Sequence, residues 1–403
     1  MLYPLATCNV RVMSPPVRND STLFAHAPPM GVQRWLGLVT PNHLHTGRRA
    51  LLVVLIGWLP LVLLTLAQVA LRGGDGINSL LLEAGAHVRY LVAAPLLIVA
   101  EGQCATHLGA TLRYFIDAGL VTDERRVEFH TAVASTRRLL TSTTAEIAVF
   151  ALAYLISALS VLSHADDQIP VWAASAGIVP GYSAAGWWHV LVSMPLLLVL
   201  IFAWLWRLAL WARLLWLISR LDLRLLASHP DHVAGLGFVG HSLSAFAIPA
   251  LALASIAAGR SAHLVLLGGS LPTPNLLFNI GFLVFLLVLF LAPLLVFTPT
   301  LFRVWQLGTL EYGALAVRVG EAFESKWLER GSSVDRATLE KPDFSATADL
   351  YGVASNVYAV RFVPVDLKNL IALAVALLLP FGPVVLLAIP VKTILKGLQS
   401  LFL

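Results

Sequence analysis

The chain contains a series of separate apolar runs, each about 20 residues long and nearly free of charge. That is the length a helix needs to cross the ~30 Å hydrocarbon core of a bilayer. The runs are continuous rather than alternating, so they do not fit the strands of a membrane barrel. Backbone polar groups in lipid must be satisfied within a helix or a closed barrel, and the runs therefore read as helices. The expected fold class is all-α: a polytopic membrane helix bundle with six to seven transmembrane helices and extended cytoplasmic helices. Hydrophobic residues make up 58% of the 403 positions and charged residues 12%, against about 25% charged in an ordinary soluble chain. A soluble domain of this length has no interior large enough for that much apolar surface.

Spans are expected near 50–71, 88–107, 145–162, 187–207, 238–258 and 276–302. Residues 1–33, rich in Pro, Asn and Ser, lack the apolar core of a signal peptide and read as a disordered cytoplasmic tail. The transmembrane bundle covers 34–302, a cytoplasmic helical segment covers 303–366, and 367–403 forms a last span or a re-entrant hairpin. Pro380, Pro383 and Pro390 leave those two forms of the last run open; Lys392 and Lys396 favour a return to the cytoplasm, whereas length favours a crossing. Lys and Arg gather around 108–144, 208–237 and 303–366. The positive-inside rule then places those segments and the N-terminus in the cytoplasm, in a bacterial inner membrane. The loop from Ser163 to Gly186 carries Asp166 and Asp167 but no Lys or Arg and ends at Trp187 and Trp188, as an outer loop with an aromatic belt would. Phe129, Ala132, Val133, Thr136 and Leu140 repeat at helical spacing, so the third span is expected to start as a helix well outside the bilayer. Gly119 and Thr122 are placed to end one helix and cap the next.

The net charge of +5 arises from basic residues at the ends of apolar runs, which is the pattern of membrane orientation. It is not a nucleic-acid-binding face, and no nucleic-acid partner is expected. The two cysteines, Cys8 and Cys104, support neither a disulfide framework nor a thiolate metal cluster. The sequence holds no G-x-S-x-G, H-E-x-x-H or Walker loop, which counts against an enzyme.

Glu101 falls inside the second span, where an ionisable residue is a functional candidate by default. It is either a pathway residue, or a protonated or paired structural group, with Arg207 or Arg213 as counter-charge. Glu146 enters the third span at a comparable depth, so the two carboxylates are candidates for one polar cavity on the inner side. The densest polar chemistry is Ser228-His229-Pro230-Asp231-His232 with Gly235, Gly237, Gly240 and His241 following. His229, Asp231 and His232 could ligate a divalent cation, the one cofactor the sequence leaves room for, and His241 could face the pathway. The plainer reading is a helix start, with Pro230 in the first turn and Asp231 opposing the positive helix end. The literal G-x-G-x-x-G here lacks the preceding strand of a dinucleotide site. Arg213, Arg220 and Arg224 share a helical face and read as topology or lipid-headgroup contacts. Leu315, Val319, Phe323 and Trp327 recur every four residues and form an apolar stripe, a candidate docking surface for a soluble partner.

The stretch Arg89-Tyr90-Leu91-Val92-Ala93-Ala94-Pro95-Leu96-Leu97-Ile98-Val99-Ala100-Glu101, the His229-Pro230-Asp231 motif with its glycines, and Val363-Pro364-Val365-Asp366-Leu367 resemble a family of bacterial multi-pass inner-membrane proteins. The family's motif has an HPD-x(2)-GGL-like form, and Ala234 stands here where it would have glycine. The resemblance covers nearly the whole chain after the tail and implies a shared architecture but no activity.

Three functional readings follow. The first is a channel or transporter for an ion or small solute, with a polar cavity open to the cytoplasm. The second is a membrane scaffold or sensor that docks a soluble partner through its cytoplasmic helices, and the third is a metal-dependent membrane enzyme. The lipid bilayer is a certain partner, and a homo-oligomer is expected from the general habit of small helical membrane proteins.

Overall fold

The computed structural model describes residues 23–24, 31, 45–163, 169–175, 181–268, 273–328 and 343–388. The rest of the N-terminal tail, with Cys8, and also His164, Asp166, Asp167, Pro272, Pro390, Lys392 and Lys396 lie outside the described residues. Six helices are long and apolar enough to cross a membrane. They are α1 (Thr46–Arg72), α2 (Ala84–Asp117), α4 (Thr143–Ser163), α5 (Ala184–Ser219), α6 (Ala247–Gly268) and a sixth span that begins with α7 (Thr273–Leu291). The sixth continues through a 3₁₀ segment, Ala292–Phe297, into α8 (Thr298–Trp327). A seventh candidate is the pair α10 (Leu367–Leu378) and α11 (Phe381–Ala388), which bend by 47° where Pro380 interrupts the run. Two polar-flanked helices, α3 (Arg126–Leu140) and α9 (Asp343–Tyr358), and a short helix at Gly76–Leu82 lie outside these spans. Among the described residues there is no strand; one isolated bridge pairs Ala174 with Tyr182.

The bundle is a multi-pass membrane protein by its surface as well as its length. Leu155, Phe278, Phe285 and Val288 are exposed on the spans, an apolar exterior that lipid tails match and water would not. The interior is packed around Leu97, Leu108, Trp211, Leu214 and Leu294, all essentially without exposure.

One end of the bundle collects the basic segments. Arg224 donates its backbone N–H to the Leu120 carbonyl, Arg361 donates to the His232 carbonyl, and Gly308 lies close against Ala227 and Val357. At the other end Gln68 donates to the Ala174 carbonyl, His263 contacts the Leu82 carbonyl, and Gly259 packs on Val88. The chain therefore shuttles between a basic end and an end poor in charge.

Several boundaries differ from the sequence expectation. The third span does not start as one tall helix: Thr141 leaves helical geometry, and α3 ends there while α4 restarts at Thr143 behind Ser142. The fifth span starts at Ala247 rather than near 238, because Gly237–His241 forms a 3₁₀ turn and Ser242–Ala245 a separate helical turn ending at Phe246. Gly119 does end α2, in the left-handed conformation at φ 68°, while Thr122 occupies a cap position without a side-chain bond.

The three spans α2, α5 and α7–α8 share a feature that span counting misses. Each contains x-Pro-Leu-Leu, at Ala94–Leu97, Met194–Leu197 and Ala292–Leu295. Each leaves α-helical geometry there: π-helical over Val88–Ala93 and His189–Ser193, 3₁₀ over Ala292–Phe297. The cause is local. Proline has no N–H to give and its ring displaces the carbonyl four residues back. In α2 and α5 the preceding residue compensates by bonding five residues back, Ala94 to the Arg89 carbonyl and Met194 to the His189 carbonyl. All three spans run from the charge-poor end to the basic end; in the third the break follows Pro293 and leads up to Pro299.

Candidate functional site

The principal polar feature of the interior is a cluster of three charged side chains. Arg49 comes from the first turns of α1, Glu101 from the middle of α2 and Arg207 from the later half of α5. Arg49 Nη2 lies 2.6 Å from Glu101 Oε2, and Arg207 Nη2 donates to Glu101 Oε1 at 2.8 Å. The residues are 2%, 1% and 1% exposed, and Glu101 is the only buried carboxylate among the described residues. The Arg207 guanidinium also sits 4.9 Å from the ring centre of Trp204, whose indole N–H donates to the Leu97 carbonyl. Arg207 is thus fixed from two sides, by a carboxylate and by an aromatic face. The carboxylate does not satisfy both arginines: Nε and Nη1 of each have no hydrogen-bond partner.

Of the two counter-charges expected for Glu101, Arg207 is the one that pairs with it. Arg213 instead donates to Ser135 Oγ and Thr136 Oγ1 on α3, pinning that helix to α5. Sequence reasoning missed Arg49, which next to Arg48 looks like an ordinary basic flank. The available signal was its place inside the first helical turns, directly against the apolar run. Glu146 is in different surroundings, half-buried on α4 beside Ile147, Phe150 and Tyr154.

Toward the charge-poor end the buried polar groups continue. Tyr90 Oη lies 3.1 Å from His189 Nδ1, joining the two π-helical segments directly, and Trp172 packs edge-on to the same imidazole. Trp58, at the bend in α1, donates to His87 Nδ1 at 2.9 Å. An indole only donates, so His87 Nδ1 accepts here, and its Nε2 donates to the Leu80 carbonyl at 2.9 Å. Ser193 Oγ and Trp211 Nε1 are fully buried without a partner. Polar side chains of α1, α2 and α5 thus meet at more than one depth in an otherwise apolar core.

The His-Pro-Asp-His segment lies at the basic end and opens onto a cleft of about 470 Å³ lined also by Tyr114, His241, Arg361 and Asp366. Asp231 organises it. Oδ1 accepts backbone N–H groups from Val233 at 2.9 Å and Gly235 at 3.1 Å, and Oδ2 accepts from Gly237 at 2.9 Å; His229 Nδ1 lies 2.8 Å from Oδ1. Burial works to raise the Asp231 pKa, but these three backbone bonds and His229 outweigh it and hold the carboxyl below the usual range. The tight wrap forces His232 and Ala234 to φ 56° and 58°, with Gly235 at 92°. Ala234 is thus a non-glycine residue in the left-handed region that glycine favours. Arg361 closes the loop from the other side, donating from Nη2 to the Asp231 carbonyl. Both carboxylate oxygens are engaged by the loop itself. Among the described residues no group of three or more His, Cys, Asp or Glu is spaced to hold a metal ion. His232 faces the cleft and His241 is exposed on its rim.

The apolar stripe on α8 has a cover within the chain. Phe344 of α9 packs 4.9 Å from Phe323 and 4.6 Å from Trp327, ring centre to ring centre. Val319, Phe323 and Trp327 are half-buried, and Leu315 is exposed. The stripe does not by itself require a partner.

The chain matches no family model, no curated protein and no solved structure in comparisons with each.

Proposed function

We propose that this membrane protein is a channel or transporter for an ion or small solute, with its path running between α1, α2 and α5 past Arg49, Glu101 and Arg207. The observation that carries the reading is the fully buried, charged cluster inside an apolar bundle, since ionisable residues at membrane depth are costly and mark ion or substrate pathways. A further feature supports it. Broken helices are where membrane transporters place backbone groups along a path, and here Tyr90 and His189 sit on the two π-helical segments of α2 and α5.

By the positive-inside rule the basic end, the N-terminus and the His229–His241 cleft face the cytoplasm of a bacterial inner membrane. The cleft then forms a vestibule open to the cytoplasm, and Asp231 shapes that vestibule rather than binding the solute. The test is flux across proteoliposomes loaded with a panel of monovalent ions and small solutes. Wild-type protein passes at least one of them, and Glu101→Gln changes its rate at least tenfold. Tight vesicles with every species, or flux indifferent to Glu101→Gln, would remove the reading.

A further inference from the structure

Two guanidiniums and one carboxylate leave the cluster one positive charge in surplus, and no second carboxylate among the described residues is buried to balance it. A surplus charge in a low-dielectric interior is costly, and a desolvated charged group is neutralised or paired. Arginine cannot relieve the cost by losing its proton. The unused hydrogen-bonding capacity points the same way. Nε and Nη1 of both arginines are buried and unpartnered, and so is the indole N–H of Trp211, one helical turn beyond Arg207 on the same face of α5. These nitrogens are all donors, while the acceptor of the cluster that makes no hydrogen bond, Glu101 Oε2, is held in the ion pair with Arg49. A water could satisfy the donors but not the charge, whereas an anion does both.

We infer that Arg49, Arg207 and Trp211 form a binding site for a small monovalent anion of the halide class. Arg49 and Arg207 are 2% and 1% exposed and Trp211 is fully buried, which places the donors away from lipid headgroups, and the single surplus charge matches a monovalent ion. Phe24 of the N-terminal segment packs edge-on to Trp211 at 5.7 Å, and it is buried like its neighbour Leu23. The inference does not rest on transport: the ion is needed to balance the cluster whether it passes through or stays.

The experiment is thermal unfolding of the full chain in uncharged detergent, with chloride exchanged for gluconate at constant ionic strength. An anion that binds only the folded state raises the unfolding temperature with the logarithm of its concentration above half-saturation. Chloride and bromide should stabilise with this logarithmic dependence, and Arg49→Gln, which leaves a neutral Glu101–Arg207 pair, should abolish it. Glu101→Gln should move half-saturation at least tenfold lower, because it raises the surplus to two charges. A purely structural cluster predicts that both variants lose stability with no change in halide dependence. Equal wild-type stability in chloride and gluconate, or an unmoved half-saturation in Glu101→Gln, overturns the proposal. If the variants do not fold, bromide-soaked wild-type crystals decide the matter: an anomalous peak between Arg49 and Arg207 is expected, and its absence refutes the site. Halide stabilisation without flux would retain this site and remove the transport reading; flux without halide dependence would do the reverse.

Discussion

Replacing Asp231 with alanine removes the acceptor for three backbone N–H groups, those of Val233, Gly235 and Gly237. Hydrogen bonds to a charged acceptor contribute more than neutral ones, but this side chain is 22% exposed, so water takes over part of the role. Counting the low end of ~1 kcal/mol per orphaned donor gives about 3 kcal/mol of local destabilisation. That corresponds to roughly a 100-fold loss of protection in amide hydrogen exchange. Asp231→Asn keeps one oxygen and sets its amide nitrogen against at least one N–H, so about half that cost is expected. The measurement is hydrogen exchange at residues 233–237 in the detergent-solubilised chain, with helix amides in α5 as an internal reference. The same carboxylate sets a pH dependence. Its pKa is lower in the folded than in the unfolded chain, so its contribution is fully present above the unfolded value of about 4 and is lost as pH falls through the folded value. The stability difference between wild type and Asp231→Ala should therefore shrink below about pH 4. Unchanged exchange at these amides in Asp231→Ala would refute the reasoning, and so would a difference that grows on acidification.

Three further perturbations test other parts of the structure. A Cβ at Gly259 would fall 2.8 Å from Val88 Cβ, so Gly259→Val should cost about 1–3 kcal/mol as overpacking between α6 and the π-helical turn of α2, read by thermal unfolding. Wild-type stability in that variant would show the contact to be loose. Pro95→Ala restores an N–H and should let Val88–Ala93 return to α-helix, turning the preceding segment by about 100° and carrying Tyr90 away from His189. A density map of the variant with the π-helical turn intact would show that proline is not its cause. Phe344→Ala uncovers Phe323 and Trp327 and should raise binding of an apolar dye with little change in the spans; no change in dye binding would mean the stripe is covered otherwise.

The spans were legible because the bilayer imposes one length and one composition on any helix that crosses it, and apolar runs of that kind stand out without alignment. Their ends were less so. Thr141 breaks a helix that no proline follows, whereas the break at Phe246 lies three residues before Pro249, whose ring displaces the Ala245 carbonyl inside an apolar run that reads as continuous. The importance of Glu101 could be read from its depth, since a carboxylate amid Val99, Ala100 and Cys104 has no water to meet. Its partners could not, because pairing across three helices depends on how the helices are rotated. Arg207 was within reach by depth, Arg213 was not distinguishable from it, and Arg49 was masked by the flank it shares with Arg48. At the His-Pro-Asp-His segment, residue types that suit a metal also suit a turn. The carboxylate's engagement by N–H groups up to six residues ahead emerges only when the glycines fold back over it.

The central claim, that the path runs past Glu101, has a reporter already in place. Cys104 lies one turn from Glu101 on α2, is buried, and is within electrostatic reach of Glu101 and Arg207. In a Cys8→Ser background it is the chain's sole thiol. The measurement is its reaction with a small anionic thiol reagent in sealed, oriented vesicles, followed together with flux. The account predicts modification from the side of the basic end and loss of flux in proportion to labelling. Complete protection of Cys104 in vesicles that conduct, with full reaction only after unfolding, would place the path elsewhere and leave the charged cluster a purely structural core.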